Sequence, residues 1–187
     1  MLRETFVTTK EIKLDKIRPI LSRTDLKGNI KSCNSYFCEI SGYTKERLIG
    51  SKHNIVRHPD MPKVIFKMMW EKIQRDENIT AIIKNRTING DYYWVTTSFE
   101  TSYHPITNKA DGYMAIRRIV PKKAVQKIIP LYKKLLEIEE NFGVGASEAY
   151  LLDFLRYQNT DYNTYIHRLL NQKSLMVGLF HKIIKSA

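Results

Sequence analysis

The hydrophobic pattern of the first fifty residues is broken into short elements. Asn34 and Thr44 each precede a short apolar run, as helix-capping residues do, and Gly28-Asn29 is typical of a hairpin turn. The predicted elements are strands at residues 18–25 and 30–33 and helices at residues 35–40 and 45–50. This region therefore combines two strands with two short helices.

The middle of the chain changes from a helical to a strand period. Residues 61–75 place apolar side chains at helical spacing, with Pro62 in the first turn and Asp60 positioned to cap the helix. Apolar positions then alternate, and turns rich in Asn, Gly and Asp separate strands at residues 79–88, 92–106 and 112–120. This order predicts an α+β fold, with a five-stranded antiparallel sheet and short helices on one face. A curved sheet of this kind leaves a small pocket beneath the helices.

Residues 121–187 lose the strand pattern and predict a helical C-terminal extension. Pro130 predicts a kink or break, the glycines at 143 and 145 predict the end of the first helix, and Ser147 predicts the cap of a second helix over residues 147–172. Residues 174–187 are apolar with flanking lysines, which suits packing within the extension, docking on a partner or contact with a membrane. The predicted organisation is an N-terminal segment (1–17), a sheet domain (18–120) and the extension (121–187).

Composition limits the function classes. The chain has 187 residues, a net charge of +12 and two cysteines, Cys33 and Cys38. The positive charge is spread along the chain and does not form the Lys/Arg stripe of a nucleic-acid-binding protein. The remaining explanations of the charge are an anionic cofactor, an anionic membrane face or an ordinary solvated surface. Two cysteines do not make a disulfide framework, and no signal peptide or membrane span is visible in the sequence. A cytoplasmic location is therefore expected.

The segment HNIVRHPDMPK, residues 53–63, has the densest candidate chemistry. Its two histidines lack metal-ligand spacing and no nucleophile stands beside a base, so neither a metal site nor an enzyme is expected. A structural loop stiffened by two prolines remains open, as does the rim of a pocket for an anionic, planar ligand. In the second interpretation Arg57 offers a fork of donors, His58 can stack or hydrogen-bond, and an open helix N-terminus adds further donors.

A set of amide and aromatic side chains suits the same ligand. A flat heteroaromatic group needs apolar walls, and an amide supplies a donor and an acceptor to its edge. Ordinary core packing explains Phe66 alone better, whereas amides on the inner face of a small core need a partner. The candidate pocket residues of this set are Asn34, Phe66, Trp70, Asn85 and Trp94.

Together these motifs resemble a PAS domain. The layout is N-x-x-F, then S-G-Y-T-x-E-x-L-I-G, a helix, and N-G-x-x-x-W-V. The stretches HNIVRHPDMPK, FKMMW, KNRTINGDYYWV and GYMAIR are similar to the PAS domain of Aer-type bacterial aerotaxis receptors. The resemblance covers residues 20–135, and its most specific block is RHPDMP. It implies a PAS fold and non-covalent FAD binding, whereas the cysteine motif of light-sensing LOV domains is absent.

The resemblance also assigns roles to residues. Arg57, His58 and Asp60 would hold or shape the FAD site, while Trp94 would support it from the sheet. The residues expected to line the flavin pocket are Asn34, Phe66, Trp70 and Asn85.

The function implied is redox or energy sensing in aerotaxis. The output partner would be a separate methyl-accepting chemotaxis transducer with a HAMP segment, met at the inner face of the cytoplasmic membrane. A homodimer and peripheral membrane association stay open. Two alternatives remain: a cofactor-free PAS interaction module, and a haem or small-ligand sensor with His58 or His53 as axial ligand.

Overall fold

A five-stranded antiparallel sheet forms the centre of the computed structural model, which describes residues 6–171. Its strands, in the spatial order β2-β1-β5-β4-β3, are β1 (Ile20–Thr24), β2 (Ile30–Cys33), β3 (Ile79–Arg86), β4 (Tyr92–Tyr103) and β5 (Ala110–Ile119). Alternating burial along the long strands fixes their register, because a slip of one residue would turn the buried side chains to solvent. The predicted fold class is confirmed.

Short helices connect the two small strands to the large hairpins. They are α1 (Ser35–Ser41), α2 (Lys45–Leu48), a 3-10 helix (His53–Val56) and α3 (Lys63–Gln74). The predicted caps of α1 and α2 are confirmed. Asn34 Oδ1 accepts from the N–H of Phe37 at 3.1 Å, and Thr44 Oγ1 accepts from the N–H of Arg47 at 3.3 Å.

The N-terminus of α3 is capped from another helix and not by Asp60. The predicted cap is wrong, because α3 begins at Lys63 and Asp60 instead pairs with Lys84 at 2.7 Å. The backbone N–H groups of Lys63 and Val64 donate to the two carboxylate oxygens of Glu139, each at 2.8 Å. The helix N-terminus is therefore closed by a distant carboxylate rather than open to a ligand.

The C-terminal extension contains α4 (Lys122–Tyr157) and α5 (Tyr162–Leu170). The helix continues through Pro130, so a break there is excluded. The break predicted at the glycines is confirmed at Gly143, which has φ 82° and ψ 174° and alone has non-helical backbone inside α4. Ser147 is fully buried and does not cap a second helix, because the second half of α4 begins directly after Gly143.

The prediction of one helix over residues 147–172 is also wrong. The backbone leaves the helix after Tyr157, and Asp161 caps α5 by accepting from the N–H of Thr164 at 3.0 Å. The amphipathic segment predicted at residues 174–187 lies outside the described residues. No helix within residues 6–171 is long and apolar enough to cross a membrane.

The two C-terminal helices cover the free edge of the sheet at β3. Tyr132 on α4 donates to the carbonyl of Ile82 at 2.7 Å. Asn163 on α5 accepts from the N–H of Thr80 and donates to the carbonyl of Asn78, both at 3.0 Å. An uncovered edge strand leaves a row of unpaired backbone groups that can pair with other chains. The extension satisfies the edge groups of Asn78, Thr80 and Ile82 and is thereby fixed to the sheet that forms the candidate site.

Candidate functional site

A cavity of about 390 Å³ lies between α3 and the inner face of the sheet. Helical spacing places four side chains of α3 on one wall, which are Phe66, Met69, Trp70 and Ile73. Strand alternation places seven side chains on the opposite wall, which are Thr24, Ile83, Asn85, Phe99, Tyr113, Ala115 and Arg117. The intervening loops and the 3-10 helix contribute Lys27, Gly28, Lys52, His53, Asn54 and Arg57.

The turn between β1 and β2 positions the aromatic wall. Trp70 stands edge-on to Tyr113, with ring centroids 5.5 Å apart and an interplanar angle of 82°. A Cβ at Gly28 would lie 2.9 Å from the indole ring, and Gly28 has a φ of 78°. Only glycine therefore satisfies both the turn and the close approach of Trp70.

Arg117 and His53 form the buried polar end of the cavity. Arg117 is 2% exposed, donates to Ser22 Oγ at 3.0 Å and lies 2.7 Å from Nε2 of His53. Because arginine can only donate, Nε2 accepts and His53 carries its proton on Nδ1. Burial, and then the charge of Arg117, hold the pKa of His53 well below its usual value, so the imidazole is neutral at pH 7.

No carboxylate neutralises Arg117 within residues 6–171. The groups that it contacts are Ser22, the carbonyl of Ala115 and the neutral His53. Burial lowers the pKa of Arg117 to about 10, so the guanidinium keeps its charge at pH 7. A buried charge without a counter-ion is costly. Such a group in a cavity is typical of a site that receives an anionic or strongly accepting ligand.

Arg57 lies at the rim of the cavity. Its guanidinium stacks 4.1 Å from the centroid of the Phe66 ring and donates to the carbonyl of Met61 at 2.9 Å. Lys27 and Lys52 also line this side, and none of the described lining residues is an aspartate or a glutamate. The cavity and its rim therefore have a positive potential that favours an anion.

Asn85 supplies an amide to the inner face of the sheet. It is 4% exposed, pairs with Tyr93 across β3 and β4, and forms a backbone bridge with Arg57. Tyr93 is fully buried, and burial raises its pKa above the usual value, so its phenol stays protonated. The inner face therefore presents neutral donors and acceptors beside the cationic groups.

The structure brings half of the eight predicted site residues to the cavity, namely Arg57, Phe66, Trp70 and Asn85. Asn34 is not among the lining residues. Its Oδ1 accepts from the N–H groups of Leu21 and Phe37, and its Nδ2 donates to the carbonyl of Pro19. Its amide is thus engaged by backbone groups and ties α1 to β1.

Trp94 also lies outside the cavity. It pairs with Lys84 and is one position from Tyr93, so its side chain projects from the opposite face of β4. It is 8% exposed, which is consistent with support of the sheet from behind.

His58 and Asp60 are not among the residues that line the cavity. His58 is 2% exposed, and its Nδ1 accepts from the N–H of Asp60 at 3.1 Å. Burial, and then the charge of Lys84, lower the pKa of His58 to about 4, so it is neutral at pH 7. A smaller depression of about 210 Å³ is lined by Asn54, Arg57, His58, Pro59 and Arg86. Two of these residues also line the main cavity, so the depression continues its rim.

Arg117 and the cavity position of His53 were not predicted from the sequence. Alternation along β5 contains a signal for Arg117, because Tyr113, Ala115 and Arg117 occupy the same face and Arg118 the other. No comparable sequence pattern indicates that His53 lines the cavity. The course of the 3-10 helix places it there. Within the described residues no three histidine, cysteine or acidic side chains are grouped to hold a metal ion.

Comparison with known proteins identifies the sheet domain. Residues 30–116 match the family described as PAS fold. These residues have the PAS fold. The PAS-domain structure of a Colwellia psychrerythraea protein superimposes with a TM-score of 0.50 at 23% identity, over 56% of this chain and 87% of that one. A light-oxygen-voltage domain studied with a flavin analogue gives 0.51 at 16% identity, over 66% of this chain and 88% of that one.

A longer part of the chain, which exceeds the PAS match, is also similar to an aerotaxis receptor. The aerotaxis receptor of Escherichia coli is 38% identical over 135 residues, which are 72% of this chain and 26% of the receptor. The chain thus spans about a quarter of that relative. The predicted resemblance to aerotaxis receptors is confirmed over these 135 residues.

Proposed function

We propose that this protein is an FAD-binding redox sensor whose PAS cavity holds the flavin ring. The observation that carries the proposal is the buried, unneutralised Arg117 in a cavity without any carboxylate among its described lining residues. The similarity to an aerotaxis receptor adds support, since the resemblance to Aer-type receptors implies FAD binding. When bound, FAD would supply a ring whose charge and hydrogen-bonding pattern change on reduction.

The residues present fit this group. Trp70 and Phe66 offer apolar and aromatic faces to a planar ring, and Asn85 offers an amide to its polar edge. Arg117 donates at the deep end, where it would favour a ring edge that accepts hydrogen bonds or carries negative charge.

The size of the cavity suits the flavin ring rather than the whole FAD dinucleotide. A volume of about 390 Å³ is near the lower end of small-molecule sites, which suits a fused ring system. The diphosphate would then lie at the rim, where Lys27, Lys52 and Arg57 are placed. In this arrangement the rim cations neutralise the phosphate charge. The Arg57 guanidinium is already fixed in position by its contacts with the Phe66 ring and the Met61 carbonyl.

The signal would leave the cavity through α3. This helix forms one wall with Trp70 and Phe66, and its N-terminus is held by Glu139 of α4. Lys67 and Glu148 add an ion pair at 2.5 Å between α3 and the second half of α4. A change in the fit of the ligand against α3 would therefore shift the population of α4 positions.

Replacing Glu139 with alanine tests this connection. The N–H groups of Lys63 and Val64 lose their acceptor, so we expect the free energy of unfolding to fall by about 1 to 2 kcal/mol. Hydrogen exchange at these two amides should accelerate. The control is Glu140→Ala, whose side chain is exposed and makes no such contact. If the two variants have the same unfolding free energy and the same amide exchange rates, Glu139 does not connect α3 to α4 as proposed.

The output partner that we propose is a separate methyl-accepting chemotaxis transducer with a HAMP segment. The helical extension that follows the sheet is the element through which it would be met, at the inner face of the cytoplasmic membrane. The protein would act by binding and not by catalysis, and a homodimer is compatible with this function.

The absorption spectrum of the purified protein, reconstituted with FAD if necessary, tests the cofactor. We expect a flavin spectrum that bleaches with dithionite. A Soret band would instead support a haem sensor, although Nε2 of His53 is already engaged by Ser22 and Arg117. A protein that stays colourless after reconstitution would favour the cofactor-free interaction module.

A further inference from the structure

Two cysteine thiols meet beside the polar end of the cavity. Cys33 is the last residue of β2, Cys38 lies on α1, and their Sγ atoms are 4.0 Å apart. Both side chains are only partly buried, so small oxidants can reach them. They flank Asn34, whose cap fixes the start of α1.

Hydrophobic contact explains part of this geometry. Cys33 precedes the cap residue and Cys38 lies on the first turn and a half of α1, which are the positions of a hydrophobic staple. Two aliphatic side chains would fill these positions equally well. Two thiols in contact can also react with each other, because their sulfurs lie 4.0 Å apart and a disulfide brings them to about 2 Å.

We propose that Cys33 and Cys38 form a reversible disulfide under peroxide, a redox site that is separate from the cavity and coupled to it. One thiolate attacks the peroxide and becomes a sulfenic acid, with release of hydroxide. The second thiolate attacks this sulfur, forming the disulfide and expelling a second hydroxide, and the two hydroxides take up the two thiol protons to give two water molecules. A dithiol reductant reverses the change by exchange.

The contact between the two thiols also determines which electrophile Cys33 attacks. Burial, and then the neighbouring Cys38, raise the pKa of the Cys33 thiol to about 11. Cys33 is therefore a weak nucleophile towards reagents in bulk solution. An oxidised sulfur at 4.0 Å changes this, because attack becomes an intramolecular step.

A short chain of contacts connects the thiols to the cavity. Phe37, next to Cys38 on α1, is fully buried and stacks on His53 with centroids 5.8 Å apart and planes 14° apart. The guanidinium of Arg117 lies 5.6 Å from the same phenylalanine ring. A disulfide that repositions α1 therefore moves Phe37, the ring that contacts His53 and Arg117. The coupling is reciprocal, so a ligand in the cavity also affects disulfide formation.

Peptide mass analysis of the full chain tests the proposal without any flavin. Trypsin leaves both cysteines in one peptide, residues 32–45, since no lysine or arginine lies between Lys31 and Lys45. After mild hydrogen peroxide this peptide should lose the mass of two hydrogen atoms, both free thiols should disappear, and dithiothreitol should restore them. The Cys38→Ser variant should not lose two hydrogens.

Coupling is read from tryptophan fluorescence, because Trp70 lines the cavity. We expect peroxide to change the emission of the wild-type protein reversibly and to leave that of Cys38→Ser unchanged. Thiols that stay free, that give only oxygen adducts or that link two chains would overturn the disulfide and leave a hydrophobic staple. A disulfide without any change in emission would overturn the coupling.

Discussion

The Arg117→Met variant is expected to bind FAD roughly 10- to 100-fold more weakly than the wild-type protein. Hydrogen bonds to a charged group contribute about 1.5 to 3 kcal/mol, and methionine keeps the volume while removing every donor. The ligand-free variant should not lose stability, because the charge that it removes is buried without a counter-ion. Ser22 and His53 remain paired with each other at 3.1 Å, so neither side-chain partner is orphaned.

Isothermal titration with FAD and urea denaturation of the ligand-free protein measure the two effects. Arg118→Met is the matched control, because Arg118 is the next residue of β5, is exposed and lies on the opposite face. It should bind FAD as the wild-type protein does. An Arg117→Met variant with unchanged affinity would show that the buried guanidinium does not meet the ligand.

The Gly112→Ala variant is expected to lose about 3 kcal/mol or more of unfolding free energy. A Cβ at this position of β5 would lie 1.9 Å from the carbonyl oxygen of Thr24 and 3.0 Å from its carbonyl carbon. Backbone atoms cannot rotate away as a side chain can, so β1 and β5 would have to separate. Because Thr24 lines the cavity, FAD affinity should fall as well.

Gly145→Ala is the control for this substitution. Nothing lies within 4 Å of a Cβ built at Gly145, which is helical, so alanine should stabilise the protein by up to about 1 kcal/mol. Urea denaturation of both variants compares them directly. A Gly112→Ala protein as stable as the wild type would contradict the close packing of β1 against β5.

Local patterns predicted the sheet and the first helices because their causes are local. Alternation fixed the three long strands, and Asn34 and Thr44 cap the helices that follow them directly. Helical spacing likewise placed Phe66 and Trp70 on one face of α3, where both line the cavity.

Long-range contacts explain what local patterns could not supply. The cap of α3 comes from Glu139, 75 residues after Val64, and no local signal distinguishes that glutamate from Glu140 beside it. Asn34 looked like a pocket amide because an inner amide needs a partner, yet nearby backbone groups fill that need. Arg117 was missed because its charge is unusual only once its burial is known.

Titration of the protein into FAD, riboflavin and FMN, followed by flavin fluorescence, tests the central claim most directly. The claim is that the PAS cavity binds a flavin ring while the cationic rim holds the phosphates. It predicts saturation with one flavin per chain, tighter binding of FAD than of riboflavin, and an advantage that shrinks as salt is raised. Absence of saturable binding by any flavin, or equal affinity for FAD and riboflavin at low salt, would contradict it.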